Sequence, residues 1–130
     1  MKNIGILVVG FLILFSANLF SQEKNDIIIY FENTEDVFSI EGEKTISTFS
    51  LKADEVQLDY IKEIALRKEK ILDLIISETL NKSGNYECSL KFKYKADIVY
   101  LHKMFLTFEV DKFHYNNSIY NLDQFLTTVK

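Results

Sequence analysis

The sequence is poor in the residues that cross-link or break a chain. It has one cysteine, no proline, no tryptophan and four glycines in 130 residues. A single cysteine, Cys88, excludes a disulfide within the chain, so stability has to come from a packed core. The aromatic residues are plentiful, with 11 Phe and 7 Tyr. This composition is typical of a folded chain and not of a disordered one.

Motifs that carry catalysis are also missing. The sequence has no Gly-x-Ser-x-Gly, no His-Glu-x-x-His, no phosphate loop and no dinucleotide fingerprint. Beyond residue 21 the only glycines are Gly42 and Gly84, and backbone approaches a phosphate closely only where side chains are absent. We therefore predict a non-enzymatic protein without a cofactor, and we assign no catalytic, cofactor-binding or metal residue.

The first 21 residues have the layout of an export signal. Lys2 supplies a positive charge, Ile4 to Phe15 is apolar, and polar sequence begins at Gln22. The preferred cleavage site follows Ser21, and the second choice follows Ala17. An uncut membrane anchor is the alternative, since the apolar stretch nearly reaches the length of a membrane span. No cysteine lies at the boundary, which argues against a lipoprotein.

Removing 21 of the 130 residues leaves 109, enough for one small exported domain over residues 22–130. Without Lys2 the chain has 14 basic and 19 acidic residues, a net charge of −5. An acidic protein has no electrostatic reason to bind nucleic acid or an anionic membrane. We expect a secreted or periplasmic protein without stable membrane insertion, whose partner is another envelope or secreted protein.

The first half of the mature chain alternates between extended and helical patterns. Residues 26–31 and 44–51 are rich in β-branched and aromatic residues and predict strands. Residues 33–36 and 41–43 predict turns around a short extended segment, 37–40. From Glu55 to about Lys68, with Asp54 as N-cap, Tyr60, Ile61, Ile64 and Ala65 fall on one face of an amphipathic helix.

The second half has one ambiguous stretch. Lys70 to Ser77 fits a strand with Leu72, Leu74 and Ile76 inward, or a continuation of the helix. We favour the strand, because a helix from 54 to 80 would be about 40 Å long. Tyr86 to Tyr94 alternates apolar and polar residues and predicts a strand after a hairpin loop at 81–85.

The last third of the chain predicts two helices separated by a hairpin. Asp97 caps a helix with Ile98, Leu101, Phe105 and Phe108 on one stripe, although Ile98 to Leu101 also fits a strand. Asp111 to Tyr115 predicts a strand and Asn116-Asn117 a tight turn into Ile119-Tyr120. Asn121 and Gln124 have the spacing of a capping box for a short final helix.

This order predicts an α+β fold of the ferredoxin-like plait type. Without the first two short segments the elements run βαββαβ, which builds a four-stranded antiparallel sheet with both helices on one face. The N-terminal strand around Ile27 to Phe31 is then extra. It either adds to the sheet edge or pairs with a partner by strand addition.

In the order and length of its elements, the stretch from about Lys44 to Tyr115 resembles heavy-metal-associated domains. Members of that family bind copper or zinc through a Met-x-Cys-x-x-Cys loop after the first strand. The corresponding residues here, Leu51 to Glu55, contain no cysteine. The resemblance implies the fold and argues against the metal activity, so a metal-binding or metal-delivery domain is only the alternative function.

Three side chains remain as candidates for metal or redox chemistry. Cys88 lies on the apolar face of its strand and is interpreted as an inert core thiol. His102 and His114 have no short ligand spacing and are interpreted as surface or boundary residues. Asn81-Lys82-Ser83 and Asn116-Asn117-Ser118 match the glycosylation acceptor pattern, but they are assigned no role. The leading hypothesis is a binding or protein-interaction domain of unknown ligand.

Overall fold

The computed structural model describes residues 25–129. They form an α+β domain with one mixed seven-stranded sheet and four helices. The predicted export signal, with its two cleavage sites, lies outside these residues. The strands are β1 (Ile28–Phe31), β2 (Ser39–Glu41), β3 (Lys44–Lys52), β4 (Leu72–Leu80), β5 (Tyr86–Phe92), β6 (Lys112–Tyr115) and β7 (Ser118–Tyr120), and the helices are α1 (Thr34–Val37), α2 (Glu55–Arg67), α3 (Ile98–Thr107) and α4 (Leu122–Val129).

The strand order across the sheet is β4-β5-β3-β1-β6-β7, and β2 pairs beside β1 on the same edge of β3. β1 pairs with the end of β3, where Ile28 lies opposite Lys52. β2 pairs with the beginning of β3, where Glu41 lies opposite Lys44. Every pairing is antiparallel except that of β1 with β6, which is parallel. The long strand β3 is therefore the centre of the sheet.

The four-stranded antiparallel sheet expected for a ferredoxin-like plait is not confirmed. The sheet has seven strands, and its β1–β6 pair makes it mixed. The expected edge position of the N-terminal strand is wrong, because β1 lies inside the sheet between β3 and β6. Ile29 and Phe31 are 1% and 5% exposed, so this interior strand contributes its alternate side chains to the core.

The helix starts follow local capping rules. The Asp54 carboxylate accepts a hydrogen bond from the Gln57 N–H at 2.8 Å, and the Gln57 side chain accepts one from the Asp54 N–H at 2.9 Å. The same reciprocal pair joins Asn121 and Gln124 at the start of α4. Both are capping boxes, which satisfy backbone donors that a helix start otherwise leaves unpaired. The predicted box at Asn121 is confirmed.

One face of the sheet carries the core. Core strand residues face one another across neighbouring strands, for example Phe49 opposite Cys88 and Ile29 opposite Phe113. Helices α2, α3 and α4 contribute their buried residues to the same hydrophobic cluster. Side chains alternate along a strand, so the residues between the core positions lie on the opposite face. We call that opposite face the open face.

Most of the predicted elements are confirmed, with three corrections. Of the ambiguous stretch Lys70 to Ser77, residues 72–77 lie in strand β4, with Leu72, Leu74 and Ile76 toward the core, and Ile98 to Leu101 is helical. The predicted turn at residues 33–36 is wrong, because a one-turn helix spans Thr34–Val37. The prediction that Tyr60 faces the core is also wrong, since Tyr60 is 42% exposed and Leu58 is buried instead. Strand β5 ends at Phe92, which leaves Tyr94 outside it.

Candidate functional site

A row of five side chains crosses the open face at one level of the sheet. His114 lies opposite Ile119, Tyr30 lies opposite both His114 and Ser50, and Ser50 lies opposite Glu87. The row thus runs over β7, β6, β1, β3 and β5. Paired residues on neighbouring strands point to the same face and lie within reach of each other, so these five residues from distant parts of the chain share one surface.

The centre of this row is an aromatic pair. The rings of Tyr30 and His114 have centroids 4.4 Å apart and are tilted by 46°. Both side chains are half-buried, so part of each ring is open to solvent. The two strands that carry them are parallel neighbours, and an aromatic pair of this kind gains about 0.5–1.5 kcal/mol beyond the area it buries.

A groove of about 690 Å³ lies over the Tyr30–His114 pair. This volume is within the range of small-molecule sites. One wall is the β4–β5 hairpin loop at 81–85, and the other is the β6–β7 turn at 116–118. The groove, called the open-face groove below, is lined by Tyr30, Phe31, Glu32, Ser50, Lys52, Asn81, Ser83, Gly84, Asn85, His114, Tyr115, Asn116, Asn117, Ser118 and Ile119.

The first wall is held in place by Asn81. Its side-chain oxygen Oδ1 accepts hydrogen bonds from the backbone N–H groups of Ser83, at 2.9 Å, and Asn85, at 3.0 Å. Its amide group donates to the Glu87 carboxylate at 2.7 Å, and the Ser50 hydroxyl donates to the same carboxylate oxygen at 3.2 Å. These contacts connect the hairpin loop to Ser50 of β3 and Glu87 of β5 at the floor of the groove. Gly84 has φ of +80°, a backbone conformation that suits glycine.

The second wall is a tight turn. Asn116 and Asn117 have φ of +51° and +63°, the left-handed conformation that the central residues of a type I′ hairpin require and that Asn tolerates. The predicted turn is confirmed. Within residues 25–129, the side chains of Asn116, Asn117 and Ser118 make no hydrogen bond to the protein. Their amides and hydroxyl are therefore available to a ligand.

The charges in the groove are few and of both signs. Glu32 and Lys52 are exposed lining residues, one acidic and one basic. Outside the groove, on the first residue of β6, Lys112 lies 2.9 Å from the Asp26 carboxylate. A hydrogen bond and the negative charge of Asp26 raise the pKa of Lys112 above its ordinary value. The groove itself is lined mainly by neutral hydrogen-bonding groups.

The three candidate ligands from the sequence do not share a site. Cys88 is 3% exposed on the core face, whereas His114 lies on the opposite face of the sheet. His102 is on α3, with its Nε2 3.7 Å from the Asp123 carboxylate of α4, so it is a boundary residue at a helix contact. Among residues 25–129, no group of three or more His, Cys, Asp or Glu side chains is arranged to hold a metal ion.

Burial also determines the chemistry of the thiol. Desolvation, with a smaller effect from the charge of Glu87, raises the pKa of Cys88 to about 12. A metal ligand or a redox nucleophile has to be a thiolate, and Cys88 is a protonated thiol at neutral pH. The interpretation of Cys88 as a core thiol is confirmed by its burial.

The sequence does not predict the open-face groove, although it contains two indirect signals of it. From the sequence, His114 is only a candidate metal ligand, and Tyr30 is part of an apolar strand. The two segments that match the glycosylation pattern, 81–83 and 116–118, form the two walls. Both segments are rich in Asn and Ser, which is the feature of the sequence that could have indicated a polar site. That the two segments lie at the same groove depends on the strand order, which the sequence does not state.

Comparison with protein-family models, with curated proteins and with solved structures found no match. Within residues 25–129, none of the helices has both the length and the apolar character needed to cross a membrane.

Proposed function

We propose that this protein is a small exported binding domain without catalytic activity, and that the open-face groove is its binding surface. The observation that carries the proposal is the Tyr30–His114 pair, half-exposed at the floor of a 690 Å³ groove. Concave sites of this size with a few fixed polar groups are where proteins bind ligands. Aromatic side chains contribute large contact areas at such surfaces.

The proposed cellular location is secreted or periplasmic. Its support is the basic start at Lys2 followed by the apolar segment from Ile4 to Phe15, a pattern that directs export. The ligand is accordingly expected on another envelope or secreted molecule. The mildly acidic net charge, −4 for the full chain and −5 for residues 22–130, favours neither nucleic acid nor an anionic membrane as partner.

The alternative, a metal-binding or metal-delivery domain, has weaker support. It rests on the resemblance in element order alone. The sulfur of Cys88 is buried with a raised pKa of about 12, which opposes metal ligation, since a cysteine ligand binds as the thiolate.

We also propose that the fold is an elaborated ferredoxin-like plait, in which β1 separates β3 and β6, two strands that are neighbours in the four-stranded plait. A relative lacking the β1 segment is then expected to pair β6 directly with β3.

The binding function is tested by capture with matched variants. Residues 22–130 are immobilised as the wild type, as Tyr30→Ala and as Ile75→Ala, and are exposed to the envelope and secreted fractions of the source organism. Ile75 is 56% exposed on the open face but outside the groove, so its variant controls for general loss of apolar surface. Retained proteins and carbohydrates are identified by mass spectrometry and sugar analysis.

We expect a component retained by the wild type and by Ile75→Ala but lost with Tyr30→Ala. Retention that is equal on all three, or absent from all three, would contradict the groove as a binding surface. Catalytic turnover of a retained component by the wild type would contradict the non-enzymatic assignment. Circular dichroism spectra of the three proteins check that each is folded.

A further inference from the structure

The chemistry of the open-face groove restricts the class of ligand that it suits. The backbones of its floor strands are already paired on both sides, because β1 lies between β3 and β6, and β6 lies between β1 and β7. A peptide therefore cannot add a strand on these floor strands, since that mode needs an unpaired strand edge, and the edge that is unpaired belongs to β7 at the side of the groove. On the floor itself, recognition has to come from side chains and from the two walls.

An anionic ligand does not fit the charges of the groove. Among residues 25–129, Lys52 is the only Lys or Arg that lines the groove, and Glu32 carries the opposite charge. Phosphate or carboxylate recognition relies on clusters of Arg and Lys or on backbone N–H groups. The side chains that line the groove instead contain amides, hydroxyls and rings, which are neutral hydrogen-bonding groups and apolar faces.

Both kinds of contact occur together at one end of the groove. The Tyr30 and His114 rings contact each other and are both half-buried, so each leaves part of its apolar surface open to the groove. The Asn116 and Asn117 amides, which make no hydrogen bond within residues 25–129, each offer two donors and an acceptor from the adjoining wall. His114 and Ile119 are opposite one another on the strands that this turn joins, so the His114 ring and the two amides belong to one hairpin, and Tyr30 lies beside it on β1.

A sugar ring needs this combination. One face of a pyranose is made of C–H groups, whose slightly positive hydrogens are attracted to the negative face of an aromatic ring. Its rim carries hydroxyls, each of which is both donor and acceptor, and side-chain amides can satisfy both roles. A neutral sugar brings no charge that would need a counterion in the groove.

We propose that the open-face groove binds a neutral saccharide, with a pyranose ring on Tyr30 and His114 and its hydroxyls bonded to the amides of Asn116 and Asn117. This inference rests on the proposed function and adds the class of ligand to it. Asn81 acts as a positioning residue, because its own amide atoms are occupied by Ser83, Asn85 and Glu87. It holds the facing wall at a fixed distance from the ring pair.

The test is a titration of ¹⁵N-labelled residues 22–130 followed by NMR. The neutral probes are cellotetraose, maltotetraose, mannotetraose, xylotetraose and chitotetraose, and the comparison probes are tetragalacturonic acid and a tetra-alanine peptide, each up to about 20 mM. We expect at least one neutral saccharide to shift the amide signals of Tyr30, His114 and residues 116–118, with a dissociation constant of about 0.1–5 mM.

Matched variants locate the binding. Tyr30→Ala removes the ring and is expected to weaken the saccharide about tenfold or more, whereas Tyr30→Phe keeps the ring and stays within about threefold. Asn117→Gly keeps the left-handed turn but removes an amide, and about a three- to tenfold loss is expected. Ile75→Ala, on the same face outside the groove, is expected to bind like the wild type.

The proposal is overturned if no neutral saccharide shifts the groove signals, if only the acidic sugar or the peptide does, or if Tyr30→Ala binds as tightly as the wild type. The capture experiment separates this failure from that of the proposed function. Tyr30-dependent capture of a protein that carries no glycan would keep the binding domain and reject the saccharide. Failure of both experiments would reject both.

Discussion

The Thr45 hydroxyl forms two hydrogen bonds with Ala96, donating to its carbonyl oxygen at 3.3 Å and accepting from its N–H at 2.9 Å. Thr45 is on the central strand β3, and Ala96 is in the connection between β5 and α3. Thr45 is fully buried and Ala96 is nearly so. One side chain thus satisfies both backbone groups of a buried loop residue, which would otherwise lack water as a partner.

We predict that Thr45→Val destabilises the domain by about 1–3 kcal/mol. Valine keeps the shape of threonine but removes the hydroxyl, so the N–H and C=O of Ala96 are left unpaired in the core. Urea unfolding followed by circular dichroism measures the change. Thr45→Ser retains the hydroxyl and is the control, with an expected loss smaller than that of Thr45→Val. A valine variant as stable as the serine variant would show that the two bonds contribute little.

The final helix is part of the core through Phe125. Its ring stacks on Phe113, with centroids 4.4 Å apart, and on Phe31, with centroids 5.4 Å apart. We predict that Phe125→Ala lowers the free energy of unfolding by about 3–5 kcal/mol, because it removes buried area and leaves a cavity. Phe125→Leu fills part of that space and is expected to cost less.

The matched control for Phe125 is Ile119→Ala. Ile119 is 61% exposed, and substitutions at such surface positions usually change stability by about 0.5 kcal/mol or less. Thermal and urea unfolding of the three variants are compared. A loss below about 1 kcal/mol for Phe125→Ala would mean that α4 does not contribute to the folded core in solution.

Ionisation of Cys88 is expected to make stability depend on alkaline pH. The folded-state pKa is about 12, above the ordinary value of 9.0, because the buried site disfavours the thiolate. Below pH 9 the thiol is protonated in both states and has no effect. Between pH 9 and 12 the unfolded chain loses this proton while the folded chain keeps it, so stability falls as pH rises.

The measurement compares wild type and Cys88→Ala by urea unfolding at pH 8 and pH 10. Tyrosines and lysines also titrate there, so the quantity of interest is the difference between the two proteins. The wild type is expected to lose more stability over this interval than the alanine variant does. Equal losses would contradict the raised pKa. In addition, a thiol reagent at pH 8 is expected to modify Cys88 much more slowly in folded than in urea-unfolded protein.

Asn81 is predicted to stabilise the β4–β5 hairpin that walls the groove. Asn81→Ala removes acceptors for two backbone N–H groups and a donor to Glu87, and we expect a loss of about 1–2 kcal/mol. Hydrogen exchange is expected to accelerate at the amides of Ser83 and Asn85. Lys82→Ala, in the same loop with an exposed side chain, is the control and should leave both properties unchanged.

Features that depend on neighbouring residues could be predicted from the sequence. The caps at Asp54, Asp97 and Asn121 and the turn at Asn116-Asn117 all use hydrogen bonds or backbone angles within a few residues, and all are confirmed. The period-two alternation of β5 identified Cys88 as buried. Tyr60 was misplaced because helical periodicity leaves the edge of the apolar stripe poorly defined, and Leu58 occupies the inward position.

Features that depend on which strands become neighbours could not be predicted in the same way. Alternation along a strand states which face of the sheet each residue occupies, but it does not state which strand lies alongside. The buried Ile29 and Phe31 would satisfy an edge or an interior strand equally well on sequence grounds. The pairing of β1 with both β3 and β6 joins residues far apart in the sequence, and it depends on the packing of the whole core.

The sequence by itself therefore determined the α+β class, most element positions and the buried state of Cys88. It also predicts export. Only the tertiary structure placed β1 between β3 and β6, and with it Tyr30 beside His114. The physical reason is that capping, turn geometry and side-chain alternation are local, whereas the open-face groove is made of residues far apart in the chain that only strand order brings together.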